Sequence, residues 1–243
     1  MSTHNYGMRI TVIEHEADAG LGFLAGWLSE AGAVCEVVRP YLGEAVPERI
    51  TGGLIVLGGE AAAWEDERCP WLPATRDLIR VCVERGVPTL GICLGAQLMA
   101  LACGGAVGRG EHGLEVGVTE VVPLPAAGTD RLFAGLGPSL AVQYHRDAIT
   151  ELPPGAVPLA TGDPYPNQAY RLGENAWAVQ FHPEATPEIF VDWTAGSAET
   201  LTGLGHSVEE LNTRVKESRN DLVGAWRPLA ERFAGVVIAV QTA

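Results

Sequence analysis

Cys93 lies in the segment Thr89-Leu90-Gly91-Ile92-Cys93-Leu94-Gly95-Ala96-Gln97, between a continuous apolar run and a helical pattern. Gly91 precedes it by two residues and Gly95 follows it by two. A sharp strand-to-helix turn needs such small neighbours, because its backbone is strained and closely approached. This is the arrangement of a nucleophile elbow, with sulfur in place of a hydroxyl. The helix N-terminus at this point favours an anion on the thiol. The backbone N–H of Leu94 points toward the same space and is placed to stabilise an oxyanion. Free cysteines are among the most buried residue types, so Cys35, Cys69, Cys82 and Cys103 are read as structural thiols. For Cys93 the glycines and the strand-turn-helix context reverse that reading.

A thiol nucleophile needs a base to hold its proton and return it to a leaving amine. The segment Trp177-Ala178-Val179-Gln180-Phe181-His182-Pro183-Glu184 runs an apolar strand directly into an imidazole and a carboxylate. Glu184 on the far ring nitrogen would fix the tautomer and orientation of His182, and Pro183 keeps the chain extended between them. A His-Pro-Glu tripeptide alone is a weak signal; paired with the cysteine elbow it becomes a strong one.

The elements that must position these groups follow from hydrophobic periodicity. Buried strands are predicted over residues 9–15, 34–38, 53–57 and 87–92, with helices over 21–31, 73–85 and 94–103 between them. Pro73 near the start of the second helix and Gly86 past its end fit the usual asymmetry. This alternation predicts an α/β fold: a doubly wound, mostly parallel sheet with helices on both faces. After Gly105 the pattern changes. Short strand candidates over 116–122, 140–144, 156–160, 168–172 and 176–181 suggest a mixed or antiparallel extension. A helix over 186–195 follows, and one or two amphipathic helices over about 207–233. Residues 236–240 read equally as an edge strand or a helix end. One compact domain, residues 1–195, with a helical C-terminal flank, 196–243, is the expected organisation.

The bulk properties narrow the function classes. The chain has 243 residues, 47% of them apolar, and a formal net charge of -14. That balance repels polyanions, so nucleic-acid and anionic-membrane partners are not expected. No run approaches the ~18 apolar residues of a membrane span. The polar start, residues 1–9, has no signal-peptide core. A cytoplasmic location is therefore expected. Five cysteines without CxxC spacing fit free thiols, not disulfides or a zinc site. Gly58-Gly59 and Gly104-Gly105 lack the spacing of a phosphate-binding loop, so no nucleotide site, metal or other cofactor is expected.

Residues 91–97 followed by Gln180-Phe181-His182-Pro183-Glu184 resemble class I, triad-type glutamine amidotransferases. The similarity extends to the residues from Leu54 to Gly59, which resemble that family's oxyanion loop, and to Gln143-Tyr144-His145, which resemble its glutamine-holding segment. Residues 166–170 resemble the strand that leads to the histidine. The match is similar to the free-standing GMP synthase-like subgroup and covers roughly residues 9–195. The resemblance implies attack of Cys93 on a γ-carboxamide and an oxyanion held by the N–H groups of Leu94 and of a glycine near Gly59. His182, oriented by Glu184, would protonate the departing ammonia, and a γ-glutamyl thioester would then be hydrolysed. Gln97 and the backbone around Tyr144 and His145 would bind the glutamine.

Two positions depart from the subgroup. Glu60 stands where proline is usual after the paired glycines; a carboxylate turned inward would oppose oxyanion formation, so it is expected to face solvent. Arg146 follows His145 where a small residue is common, either pairing with a substrate carboxylate or standing solvated. His112 and Glu111 read as a polar loop, Trp64 and Trp71 as packing residues, and His145 with Asp147 as support behind the site.

Three functions fit these residues. One is a glutaminase half-enzyme that passes ammonia to a separate ATP-dependent synthetase. Another is a stand-alone γ-glutamyl amide or peptide hydrolase or transferase. The third is a non-catalytic binding protein on the same fold.

Overall fold

The computed structural model describes residues 8–242; the residues of the polar start ahead of Met8 lie outside them. The chain runs β1 (Met8–Ile13), α1 (Gly22–Glu30), β2 (Ala33–Val38), β3 (Gly53–Val56), α2 (Leu72–Glu84), β4 (Thr89–Ile92) and α3 (Leu94–Ala102). It continues through β5 (Ala106–Arg109), β6 (Glu115–Pro123), β7 (Ser139–His145), β8 (Asp147–Glu151), β9 (Val157–Thr161), β10 (Ala169–Leu172) and β11 (Ala176–Val179). The last elements are α4 (Pro187–Gly196), α5 (Ala198–Gly203), α6 (Val208–Glu217) and α7 (Arg219–Gln241).

Strands β2-β1-β3-β4-β11 form the parallel half of a nine-stranded sheet, and β10-β9-β6-β7 continue it antiparallel. The expected doubly wound sheet and its antiparallel extension are both present. Period-2 alternation divides the core between the two faces. Ile10, Val12, Ile55, Leu90, Ile92, Trp177 and Val179 face one side, where α1 and α7 supply Leu24, Leu28, Trp226 and Phe233. Ile13, Leu54, Val56 and Ala178 face the other, against Leu78 and Ile79 of α2 and Leu98 and Met99 of α3.

Two features differ from the sequence reading. Residues 106–109 and 147–151 pair as a separate two-stranded sheet. Gly108 in the first of these short strands weakens its local strand signal, so only the long-range pairing reveals it. Residues 236–240 resolve as the end of α7, whose buried Val236 and Val237 continue a helical stripe begun by Trp226, Leu229 and Phe233. Among the described residues no helix is long and apolar enough to cross a membrane.

Strand β1 connects outward to β2 on one side, and β3 and β4 build away on the other, so the strand order reverses beside β1. Open α/β sheets bind ligands at the carboxyl ends of strands around such a reversal. The residues after β1 (Glu14, His15, Glu16), after β3 (Gly58, Gly59), after β4 (Cys93) and after β11 (Gln180, His182) converge there.

Candidate active site

Cys93 links β4 to α3 with φ 50° and ψ −105°. It is the one non-glycine residue at positive φ among the described residues. Such a conformation costs about 1–3 kcal/mol and persists only where surrounding structure enforces it. Two glycines do the enforcing. A Cβ on Gly95 would lie 2.1 Å from the Val56 carbonyl oxygen, and one on Gly91 would lie 2.6 Å from the Gly95 carbonyl oxygen. The first turn of α3 is thus pressed onto β3 and β4. Gly95→Ala is expected to destabilise the fold by at least about 2 kcal/mol, lowering the thermal midpoint by roughly 4–8 °C. A midpoint within a degree of the parent, read by circular dichroism, would contradict this close approach.

The Cys93 N–H donates to the Val179 carbonyl at 2.9 Å, and the His182 N–H donates to the Val142 carbonyl at 2.8 Å. Both residues are therefore tied to the sheet by their main chains. His182 Nδ1 lies 2.7 Å from Glu184 Oε1, with both side chains almost fully buried. The second ring nitrogen, Nε2, is buried without a conventional hydrogen bond, and Cys93 is the other ionisable group acting on the ring. Burial opposes a charge on His182, but the Glu184 carboxylate and the Cys93 sulfur together outweigh it and hold the imidazole well above the usual histidine range. Burial alone pushes the thiols of Cys35, Cys69 and Cys103 up, and that of Cys82 up to about 12. None of these four sits beside an imidazole and a carboxylate as Cys93 does.

The loop after β3 is held at both ends. The Leu57 N–H donates to the Ile13 carbonyl at 3.0 Å, and the Glu60 N–H donates to Glu16 Oε1 at 2.8 Å. A Cβ on Gly58 would lie 3.0 Å from His182 Cε1, and one on Gly59 would lie 3.1 Å from Leu94 Cδ2. The paired glycines therefore let this loop close over Cys93. Leu94 opens α3, so its N–H has no intrahelical acceptor. The Glu60 carboxylate faces outward, 3.1 Å from Arg68, with its side chain 77% exposed.

Two cavities meet at Cys93, of about 190 and about 360 Å³. Tyr144 lines both; its hydroxyl has no protein partner, and burial pushes the phenol up, so it remains a neutral donor. Gln97 and His145 line the larger one. The Gln97 amide nitrogen donates to the Asp147 carbonyl at 2.9 Å and to Gln180 Oε1 at 3.2 Å. His145 has Nε2 at 2.8 Å from Glu115 Oε2 and Nδ1 at 2.9 Å from the Asp147 carbonyl. The protein thus uses both ring nitrogens, and His145 offers a ligand its backbone and a wall. Arg109 is held by Asp147 at 2.9 Å, and Arg146 stands exposed at the rim.

Sequence reasoning passed over Gln180 and Glu16. The Gln180 amide nitrogen points to Cys93 Sγ at 3.6 Å. Its spacing of two from His182 on an extended segment was the available signal. Glu16 is held up to about 7 by burial, with repulsion from Asp18 and Glu60 added. Its folded-state value lies above the ordinary carboxyl value, so its contribution to stability is complete below about pH 4.5. That contribution is lost as pH rises through about 7. Glu16→Gln keeps the acceptor for Glu60 and cannot ionise. Allowing for solvent screening, the variant is expected to unfold about 2–4 °C above the parent at pH 8 and to match it at pH 5. A constant offset across that range would contradict the assignment.

The packing residues lie apart from the chemistry. Trp71 donates through Nε1 to His15 Nδ1 at 3.0 Å, behind Gly59, and burial lowers His15 to about 4. Trp64 lies in a separate groove with Asp66 and Arg76. His112 rests edge-on against Tyr165, whose hydroxyl donates to the Gly113 carbonyl, which ties down the loop after β5.

The sheet, the cysteine elbow and the buried imidazole–carboxylate pair define an amidotransferase-type α/β protein. The chain belongs to the family described as glutamine amidotransferase class-I, whose profile matches residues 24–191. It is 36% identical over 166 residues to a GMP synthase (glutamine-hydrolyzing) of Wolinella succinogenes, covering 66% of this chain and 30% of that protein. A glutamine amidotransferase-like protein of Salmonella typhimurium is 30% identical over 186 residues, covering 74% of this chain and 77% of that protein. The chain spans about a third of the length of the full-length GMP synthases it matches. A solved glutamine amidotransferase from Thermotoga maritima superposes with a TM-score of 0.83 at 26% identity, covering 94% of this chain and 99% of that one.

Proposed function

We propose that the chain hydrolyses γ-glutamyl carboxamides, glutamine first among them, through a Cys93 thioester, with His182 and Glu184 completing the triad. One observation carries this reading: a strained cysteine at a helix mouth shares a cleft with a buried imidazole that a carboxylate keeps charged. The thiolate attacks the γ-carbonyl carbon, and the N–H groups of Leu94 and Gly59 receive the oxyanion. His182 gives its proton to the departing nitrogen and then activates the water that frees glutamate. Gln97, through its link to Gln180, fixes the floor of the site, while Tyr144, the backbone of His145 and Arg146 hold the amino-acid end of the substrate.

Relatives named GMP synthase support delivery of ammonia to a separate synthetase, with a cytoplasmic setting to match. A glutamine-mimicking electrophile should label Cys93 stoichiometrically, and purified chain should release ammonia from glutamine, faster once its synthetase is added. Absence of both labelling and release would leave the fold as a non-catalytic binder.

A second reading has its own support. The cavity beside His182 exceeds the on the order of 10–15 Å³ that one small molecule such as water or ammonia needs. That room favours γ-glutamyl amides with larger amine halves.

A further inference from the structure

The two cavities at Cys93 differ in charge. The larger one contains Arg68, Arg109 and Arg146. The smaller one contains no lysine or arginine; Glu16, Asp18 and Glu60 face it, with Tyr144 and Trp193 as aromatic walls. His182 lines the smaller cavity and not the larger. Its ring is almost fully buried, with Nε2 unpartnered.

A general acid must reach the nitrogen that departs. The acyl half of the substrate therefore lies on the arginine side and the amine half on the acidic side. Trp193 donates through Nε1 to the Asp18 carbonyl at 2.9 Å, which fixes Asp18 at the mouth by its backbone. The ring of Trp193 stands 4.8 Å from that of His182, so an aliphatic chain leaving the imidazole runs along it. Resting on the γ-glutamyl hydrolase reading above, we propose that this branch receives an amine carrying a second positive charge. The substrate class is γ-glutamylated aliphatic diamines and polyamines.

The elevated acidity constant of Glu16 agrees with such an occupant. Its carboxylate has Asp18 and Glu60 as neighbours, and Arg68, the cation nearest to them, is paired with Glu60. An ammonium group in the branch supplies the missing counter-charge. The step balances without a co-reactant other than water. The Cys93 sulfur bonds to the γ-carbon, the C–N bond breaks, and His182 transfers its proton to the leaving nitrogen. Water then cleaves the thioester, giving glutamate, the free diamine and the original thiol.

The test compares three substrates with the purified full chain: glutamine, γ-glutamyl-n-butylamide and mono-γ-glutamyl-1,4-diaminobutane. The last two share chain length and differ by the terminal ammonium. The charged amide is expected to exceed the neutral one in kcat/KM by about tenfold or more, chiefly through KM, the scale of one partly screened charge pair. The double variant Glu16→Gln/Asp18→Asn keeps the acceptor for Glu60 and the Asp18 backbone contact, and should bring the two amides within about threefold of each other. Equal turnover of the two amides by the parent overturns the inference and leaves the hydrolase reading standing. A preference that survives in the double variant does the same. No turnover of any of the three, with Cys93 unlabelled by the electrophile, overturns both.

Discussion

Cys93→Ala is expected to lower kcat/KM for glutamine by about 10⁴-fold or more and to abolish labelling by a glutamine-mimicking electrophile, while the protein stays folded. The size follows from chemistry: without sulfur no thioester forms, and only oxyanion stabilisation and binding remain. Retention of the fold follows from the geometry of the turn. The strain at residue 93 is imposed by the approach of Gly95 to Val56 and by the Cys93 N–H bond to Val179, and neither involves the thiol. Alanine meets the same positive φ with a smaller side chain. The midpoint should therefore move by no more than about 4 °C, on the order of 1 kcal/mol in a chain of this size. Measured hydrolysis above one per cent of the parent would remove Cys93 from the nucleophile role. Loss of activity together with unfolding would contradict the backbone origin of the strain.

The legibility of this protein in its sequence follows the range of the interactions involved. The parallel half of the sheet was readable because each βα unit is a local signal: an apolar run, a turn residue and a helical stripe. The nucleophile was readable for the same reason, since Gly91, Cys93 and Gly95 fall within five consecutive positions. His182 and Glu184 were readable as a pair because two residues separate ring and carboxylate. The β5–β8 sheet was not, because it joins two short segments whose pairing depends on tertiary contacts. The same holds for the buried polar floor. Gln97, Gln180 and the Asp147 carbonyl meet only because α3, β11 and β8 converge. His145 likewise draws on Glu115, which also lies 3.4 Å from the Gln168 amide nitrogen. Composition gave the acidity of the whole chain, but not the concentration of Glu16, Asp18 and Glu60 on one side of the nucleophile. That segregation depends on two loops, after β1 and β3, meeting where the strand order reverses.

Glu184 governs the protonation of the acid that must act at neutral pH. Two opposing forces act on His182: burial favours the neutral ring, and the Glu184 carboxylate, with Cys93, favours the charged one. The carboxylate lies 2.7 Å from Nδ1 and is itself buried, so its field is little screened. Glu184→Gln removes that charge with little change of shape. Burial then prevails, and the imidazole's acidity constant falls. The ring that must deliver a proton to the leaving nitrogen loses it at lower pH than in the parent. The alkaline limb of the kcat/KM profile, which reports the free enzyme, should therefore move toward acid pH. At neutral pH the rate should fall by about 10²- to 10⁴-fold, the range a positioned acid–base group contributes. Labelling of Cys93 by a pre-activated electrophile needs no proton delivery to an amine and should fall less than turnover does. A carboxylate that only orients the ring predicts a different outcome: a reduced rate with the alkaline limb unmoved. A profile displaced toward acid, with its plateau lowered, would identify the charge of Glu184, and not only its hydrogen bond, as what keeps His182 protonated within a cleft that otherwise excludes charge.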